Sequence, residues 1–433
     1  MSTNRGSSRA PSIFYAEHAT GIPSTKSSPI PSHLATSTKP SLTPIVERQS
    51  GLDWNLKNKT AASVYIHIPF CATKCYYCAF NTYTFHKEQA KAYLQALQTE
   101  MELYTSEADA LQTIFIGGGT PSILSANALA QLFVDIHQNF TICPDAEITV
   151  ECNPGTIDAE KLSVMRENGV NRLSFGLQAM QDETLKQLGR IHTISEFMES
   201  YHLAREHGFE NINIDLIFAL PEQTMAAWHH TLNEVIALEP EHISAYNLVM
   251  EAETPFYEQW QAGELHLPSE DTEADMFQYT IKTLKAYGYT HYEICNFARP
   301  NHFAKHNLVY WNNQPCIGLG AGACGYVNGT RYTNIRGIAP YIKALSKRSK
   351  PIADTERLKG HAEKAETLML ALRKREGISL EAYRNRFGEE IEIAFGRILK
   401  KWIDTELLER TPTHLRLTPR GLFLANEVFV ELM

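Results

Sequence analysis

Cys71, Cys75 and Cys78 lie within eight residues of one another, spaced Cys-x3-Cys-x2-Cys, in the stretch 64–81. Three thiolates this close along the chain can close around one small metal centre. Structural zinc takes four protein ligands, commonly as two separated Cys-x-x-Cys pairs, and no second pair follows here; His67 is the nearest further donor. A cubane iron–sulfur cluster held by three thiolates departs from the usual four-cysteine site and leaves one iron open to a substrate or cofactor. Zinc and iron–sulfur chemistry are therefore the two readings of this loop.

The loop has to be positioned, and the flanking residues show how. Val64, Ile66 and Ile68 alternate with Tyr65 and His67, the period of a strand, and Pro69, which cannot donate to a ladder, ends it. Strand patterns follow at 113–116, 147–152, 172–175, 211–217 and 242–248. Helix patterns lie between them at 86–105, 126–138, 158–168, 193–207 and 225–237, with a sixth at 272–287. A βα repeat of roughly 30 residues forces parallel strands and right-handed crossovers. Six such units predict an α/β fold, a partial (βα)6 barrel of the TIM type. Parallel barrels carry their chemistry on the loops after the strands, which is where the cysteines fall.

The other strand ends repeat the theme. Gly117, Gly118, Gly119 and Thr120 follow the second strand; glycines allow close backbone approach to a ligand, or simply a tight turn. Glu151 and Asn153 end the third strand, Gln178 the fourth, with Arg190 and His192 beyond it. Asp215 interrupts an apolar run on the fifth, where a charge needs a partner or a function. Further on, His306 precedes Tyr310 and Trp311. This group suits either a buried aromatic cluster, with His306 bonded to a backbone carbonyl, or an imidazole ligand to haem iron.

The chain has 433 residues and a net charge of −9, which argues against a nucleic-acid partner. Residues 1–58 are rich in Ser, Thr and Pro and read as a disordered tail, or as an organelle transit peptide. The barrel is expected over 59–300, a connecting segment with the His306 group over 301–357, and a C-terminal helical, winged-helix-like module over 358–433. Arg373, Lys374 and Arg375 in that module read as solvating a helix end. With no transmembrane segment and scattered remaining cysteines, the expected location is cytoplasmic, with an organelle matrix as the alternative.

On its three-cysteine loop the chain resembles the radical S-adenosylmethionine superfamily. The resemblance implies a 4Fe–4S cluster on Cys71, Cys75 and Cys78. It implies S-adenosylmethionine chelating the fourth iron, an electron from the cluster releasing a 5′-deoxyadenosyl radical, and Tyr77 packed against the adenine. From about Ser63 to the C-terminus the chain is similar to the oxygen-independent coproporphyrinogen III oxidase family. The match rests on the segment from Tyr65 to Cys71, on Gly117-Gly-Gly-Thr-Pro-Ser122, and on Glu151, Asn153, Pro154, Gly176, Gln178, Arg190 and Asp215. In that family the positions of Tyr65, Gly118, Gly119, Thr120, Glu151, Gln178, Arg190 and Asp215 contact S-adenosylmethionine.

The family has two branches. The oxidase, which decarboxylates porphyrinogen propionates, carries another cysteine two residues after the third cluster cysteine; here that residue is Phe80. The haem chaperone branch carries His-Asn-x-x-Tyr-Trp, met by His306 to Trp311, together with the Tyr292-Glu-Ile-x-Asn-Phe-Ala298 stretch and the C-terminal module. The resemblance therefore implies a haem chaperone with His306 as leading haem ligand. Its partners would be haem and acceptor haemoproteins, membrane-associated respiratory enzymes among them. Cys324 stands where that branch commonly has His. The enzymatic alternatives are a coproporphyrinogen III decarboxylase of porphyrin biosynthesis or another radical enzyme, such as a methyltransferase.

Overall fold

The computed structural model describes residues 61–433; the tail expected over 1–58 lies outside the described residues. Six parallel strands run in chain order: β1 (Ala61–Ile68), β2 (Ala108–Gly118), β3 (Ile142–Cys152), β4 (Arg172–Gln178), β5 (Ile212–Phe218) and β6 (His242–Asn247). Three shorter strands complete the sheet: β7 (Thr290–His291), β8 (Asn296–Ala298) and β9 (Ile317–Leu319). The order is β9-β1-β2-β3-β4-β5-β6-β8-β7. The edge strand β9 is parallel to β1, and β8 turns antiparallel against β6. The stretch expected as a connector over 301–357 thus supplies a strand of the main sheet, a contribution its three-residue length hides from periodicity.

Helices follow each of the first six strands, and their starts are written in the sequence. Ser125, Asp158, Thr224 and Ser269 each cap a helix by accepting from the third residue on, and Thr193 with Glu196 forms a reciprocal capping box. The strands present two rows. Val64, Ile66, Ile114, Ile116, Ile148, Val150, Leu173, Phe175, Ile212, Ile214, Leu216 and Ile243 belong to the main apolar core. The alternate residues of all six strands, Tyr65, Phe115, Glu151, Ser174, Asp215 and Ser244 among them, line one interior cavity. The sheet therefore curves around one interior cavity into which polar and aromatic side chains both project, the partial barrel expected from the repeat.

The C-terminal region packs helices His361–Leu372, Leu380–Phe387 and Ile391–Asp404 with a small antiparallel sheet of Ile378–Ser379, His414–Leu417 and Leu408–Arg410. Arg373 and Lys374 do not solvate a helix end. Arg373 is 1% exposed with its guanidinium 4.6 Å from the Trp311 ring centroid, and Lys374 donates to Asn312 Oδ1 at 2.6 Å. They face the helix Lys305–Trp311, whose place beside them no local pattern reveals. Asn313 Nδ2 donates to Thr367 Oγ1 at 3.0 Å, and Arg331 pairs with Glu366 at 2.8 Å, fastening the module beneath the barrel.

Candidate functional site

The cysteine loop leaves the C-terminal end of β1 and is pinned from several sides. Phe70 and Cys71 pair in parallel with Tyr83 and Thr84. Tyr76 N donates to Leu188 O at 3.0 Å, and Cys78 N to Cys75 O at 3.2 Å. The glycine run lets β2 lie directly against the loop: Gly119 N donates to Ile68 O at 2.9 Å and Thr120 N to Phe70 O at 2.8 Å. A Cβ on Gly119 would sit 2.6 Å from the Phe70 carbonyl oxygen, and one on Gly118, at φ +113°, would sit 2.4 Å from the His67 ring. The two glycines thus permit the close backbone approach that seats the loop.

Each of the first two thiols has a polar neighbour. Thr120 Oγ1 donates to Cys71 Sγ at 3.6 Å, and Arg190 Nη1 to Cys75 Sγ at 3.7 Å. Arg190 also donates to Asn153 Oδ1 at 2.8 Å and to the Gly176 carbonyl. Asn153 in turn donates to Thr120 at 2.7 Å. Residues from the ends of β2, β3 and β4 therefore form one network against the cysteine loop. Burial pushes the Cys78 thiol up to about 12 and raises that of Cys71. Such thiols ionise readily only when a cationic centre shares them. Among the described residues no three His, Cys, Asp or Glu side chains converge tightly enough to hold a single metal ion.

Beside the loop opens a cavity of about 350 Å³. Tyr65, Tyr77, Cys78, Gly118, Glu151, Gln178, Asp215 and His306 all line it. Gly119, Thr120 and Arg190 are not among its lining residues; Thr120 and Arg190 border a smaller pocket with Cys75. Glu151 Oε2 accepts from Gly118 N at 2.8 Å, and burial with the nearby Asp215 carboxylate pushes it up to about 7. Asp215 accepts from Asn213 at 2.8 Å and Ser174 at 3.1 Å, and burial raises it too. His67 Nε2 donates to Asn81 O at 3.0 Å, so its Nδ1 accepts from Tyr65 OH at 2.9 Å. Burial holds this imidazole neutral, down at about 4.

His306 lines the same cavity. The first turn of its helix is anchored on the Glu147 carboxylate, which accepts from Lys305 N at 2.9 Å and His306 N at 3.0 Å. Thr113 Oγ1 donates to Ser63 Oγ at 2.9 Å, so it accepts from His306 Nδ1–H at 2.8 Å. Nε2 is then the lone-pair nitrogen, and it accepts from Tyr310 OH at 2.8 Å. Burial first, and then the Arg172 charge, bring His306 down to about 3. The aromatic surround is present, with Phe115 at 5.3 Å between ring centroids, but the ring's partners are two side chains rather than a backbone carbonyl. Cys324 is buried beside Thr333 at 3.3 Å and is not among the cavity-lining residues.

Sequence reasoning missed Arg172, Ser174, Asn213, Ser244 and Tyr246, which line the same cavity. The signal was available: Arg172-x-Ser174 and Asn213-x-Asp215 put polar residues at every second position of otherwise apolar strands.

The sequence pattern of the Radical SAM superfamily matches residues 65–235, and that of the HemN C-terminal domain residues 362–424. The solved coproporphyrinogen III oxidase (HemN) from Escherichia coli superposes with a TM-score of 0.75 over 86% of this chain and 89% of its own, at 24% identity, a likeness of fold. Fold and cysteine loop together define a radical S-adenosylmethionine protein, a class that implies a 4Fe–4S cluster and S-adenosylmethionine. A heme chaperone HemW from Bacillus subtilis is 40% identical over 371 residues, 85% of this chain and 98% of that one. A heme chaperone HemW from Lactococcus lactis is 38% identical, covering 86% and 97%. The chain belongs to the heme chaperone HemW family. Among the described residues no helix is long and apolar enough to cross a membrane.

Proposed function

We propose that this chain binds haem within the barrel and hands it to acceptor haemoproteins, carrying a 4Fe–4S cluster on Cys71, Cys75 and Cys78 and S-adenosylmethionine beside it. The observation that carries the reading is one cavity lined by both Cys78 and His306. When bound, the cluster supplies one electron to the sulfonium of S-adenosylmethionine.

The chain's own groups suit both. Cys71, Cys75 and Cys78 are free thiols with no fourth cysteine paired to them, Phe80 standing where the oxidase branch has one. Glu151 near the end of β3 and Asp215 within β5, two carboxylates lining the cavity, suit an ammonium or ribose hydroxyls. Tyr77 lines the wall near the cysteines, suited to an adenine face. Gly118, Gly119 and Thr120 fix the loop, Gln178 faces the cavity, and Arg190 holds Cys75 and the strand-end network. The His306 Nε2 lone pair supplies an iron ligand once Tyr310 turns aside. Acceptors are haemoproteins, membrane-associated respiratory enzymes among them, reached from the cytoplasm.

Haem titration of wild type and His306→Ala, followed by absorption spectroscopy, tests this. The reading expects roughly one haem per chain in the wild type and a weakened, shifted spectrum in the variant. Identical titrations would remove His306 from the site. Anaerobic formation of protoporphyrinogen IX from coproporphyrinogen III at a catalytic rate would replace the chaperone reading with the oxidase one.

A further inference from the structure

We propose that Arg172 is the anchor for a propionate of the tetrapyrrole, holding one carboxylate deep in the barrel, with Thr149 and Trp311 as auxiliary donors. The proposal deepens the haem-binding reading and rests on it.

Arg172 opens β4 and is 2% exposed, yet it lines the cavity. Its Nε has no hydrogen-bond partner, and it takes part in no ion pair among the described residues. The neighbouring carboxylates are engaged elsewhere, Glu151 by Gly118 N and Asp215 by Asn213 and Ser174. A guanidinium out of water and without a bonded anion is costly. Two further buried donors lack partners. Thr149 Oγ1 is on the residue paired with Arg172 in the β3–β4 register, and Trp311 Nε1 belongs to the cavity wall. A buried cation with an unused N–H, beside the Thr149 hydroxyl and sharing the cavity wall with an unpaired indole N–H, supplies donors for a carboxylate, which arginine takes bidentately.

Which carboxylate enters is decided by reach and charge. Arg172 stands six residues before Gln178 on one strand, about 20 Å at the strand rise. The cysteine loop follows the C-terminal end of the parallel strand β1, whereas Arg172 stands at the N-terminal end of β4. His306 lines the same cavity as Arg172, whose charge acts on its ring as it does on Glu151 and Asp215. Haem's anionic groups are its propionates, so iron facing His306 leaves a propionate for Arg172.

The test compares haem with its dimethyl ester, which has the ring and iron but no free carboxylate, on wild type, Arg172→Gln and Trp311→Phe. Arg172→Gln should weaken haem about tenfold or more, as expected for a charge-assisted pair, and leave the ester within about twofold. Trp311→Phe, which keeps an aromatic ring, should cost haem a few-fold and spare the ester. If Arg172→Gln lowers both ligands equally, or neither, while wild type binds haem, the anchor is overturned and the haem reading stands. Wild type that takes up neither ligand overturns the haem reading and the anchor with it. Should Arg172→Gln not fold, the Trp311→Phe titrations decide by the same acid-against-ester criterion.

Discussion

Tyr310 OH donates to His306 Nε2 at 2.8 Å, occupying the lone pair that an iron ligand would have to offer. Thr113 fixes the tautomer from the other side, because its hydroxyl proton goes to Ser63. The site is thus latched by one phenol. Tyr310→Phe removes the latch at a cost of about 1 kcal/mol to the haem-free fold. Titration should show haem bound about fivefold tighter, since that bond no longer has to break. Unchanged or weaker binding would place the iron on another residue.

The three thiols are expected to act as a unit. Cys78→Ser should reduce anaerobically reconstituted iron and sulfide from roughly four of each per chain to near background. Far-UV circular dichroism should be preserved, because Cys78 is partly exposed in a loop rather than in the core. A variant retaining full cluster absorption would contradict the ligand assignment.

Gly118 is held at φ +113° with the His67 ring 2.4 Å from any Cβ. Gly118→Ala therefore combines backbone strain with a clash against a ring bonded to both Tyr65 and Asn81. Equilibrium urea unfolding should show a loss of about 2–4 kcal/mol. A loss below about 0.5 kcal/mol would mean that the turn relaxes freely.

Glu100 offers a pH test away from the candidate site. Its buried carboxyl accepts from Gly320 N at 2.7 Å and Asn334 Nδ2 at 2.6 Å as well as from Tyr341, yet burial still pushes it up to about 7. A carboxyl raised on folding holds its proton in the native state while the unfolded chain has released it. Native stability therefore falls as pH rises from about 4.5 to about 7. Relative to Glu100→Gln, the wild type should lose stability across that window with a slope of up to about 1.4 kcal/mol per pH unit. Denaturant melts of both proteins at several pH values measure it; parallel curves would show that Glu100 is ionised throughout.

Much of the barrel was legible because its rules are local. The expected helix 225–237 is the observed Met225–Ala237, and the helix expected over 126–138 is the observed Ala126–Asn139. Strong amphipathic periods and Ser, Thr or Asp caps define helices without tertiary help. The strand β9 was not legible, because Ile317–Leu319 is only three residues long and gains its identity from β1 beside it.

The sequence by itself determined the three-cysteine loop, its place after a strand, and the run of polar residues at successive strand ends, since side-chain types and short spacings need no knowledge of the fold. Only the tertiary structure decided that Arg172, Asn213 and Ser174 share one interior with Cys78 and His306, that Tyr310 covers the imidazole, and that Arg373 is buried on Trp311. Those relationships join residues from different strands and helices, and the curvature of the sheet that brings them together is a property of the whole chain.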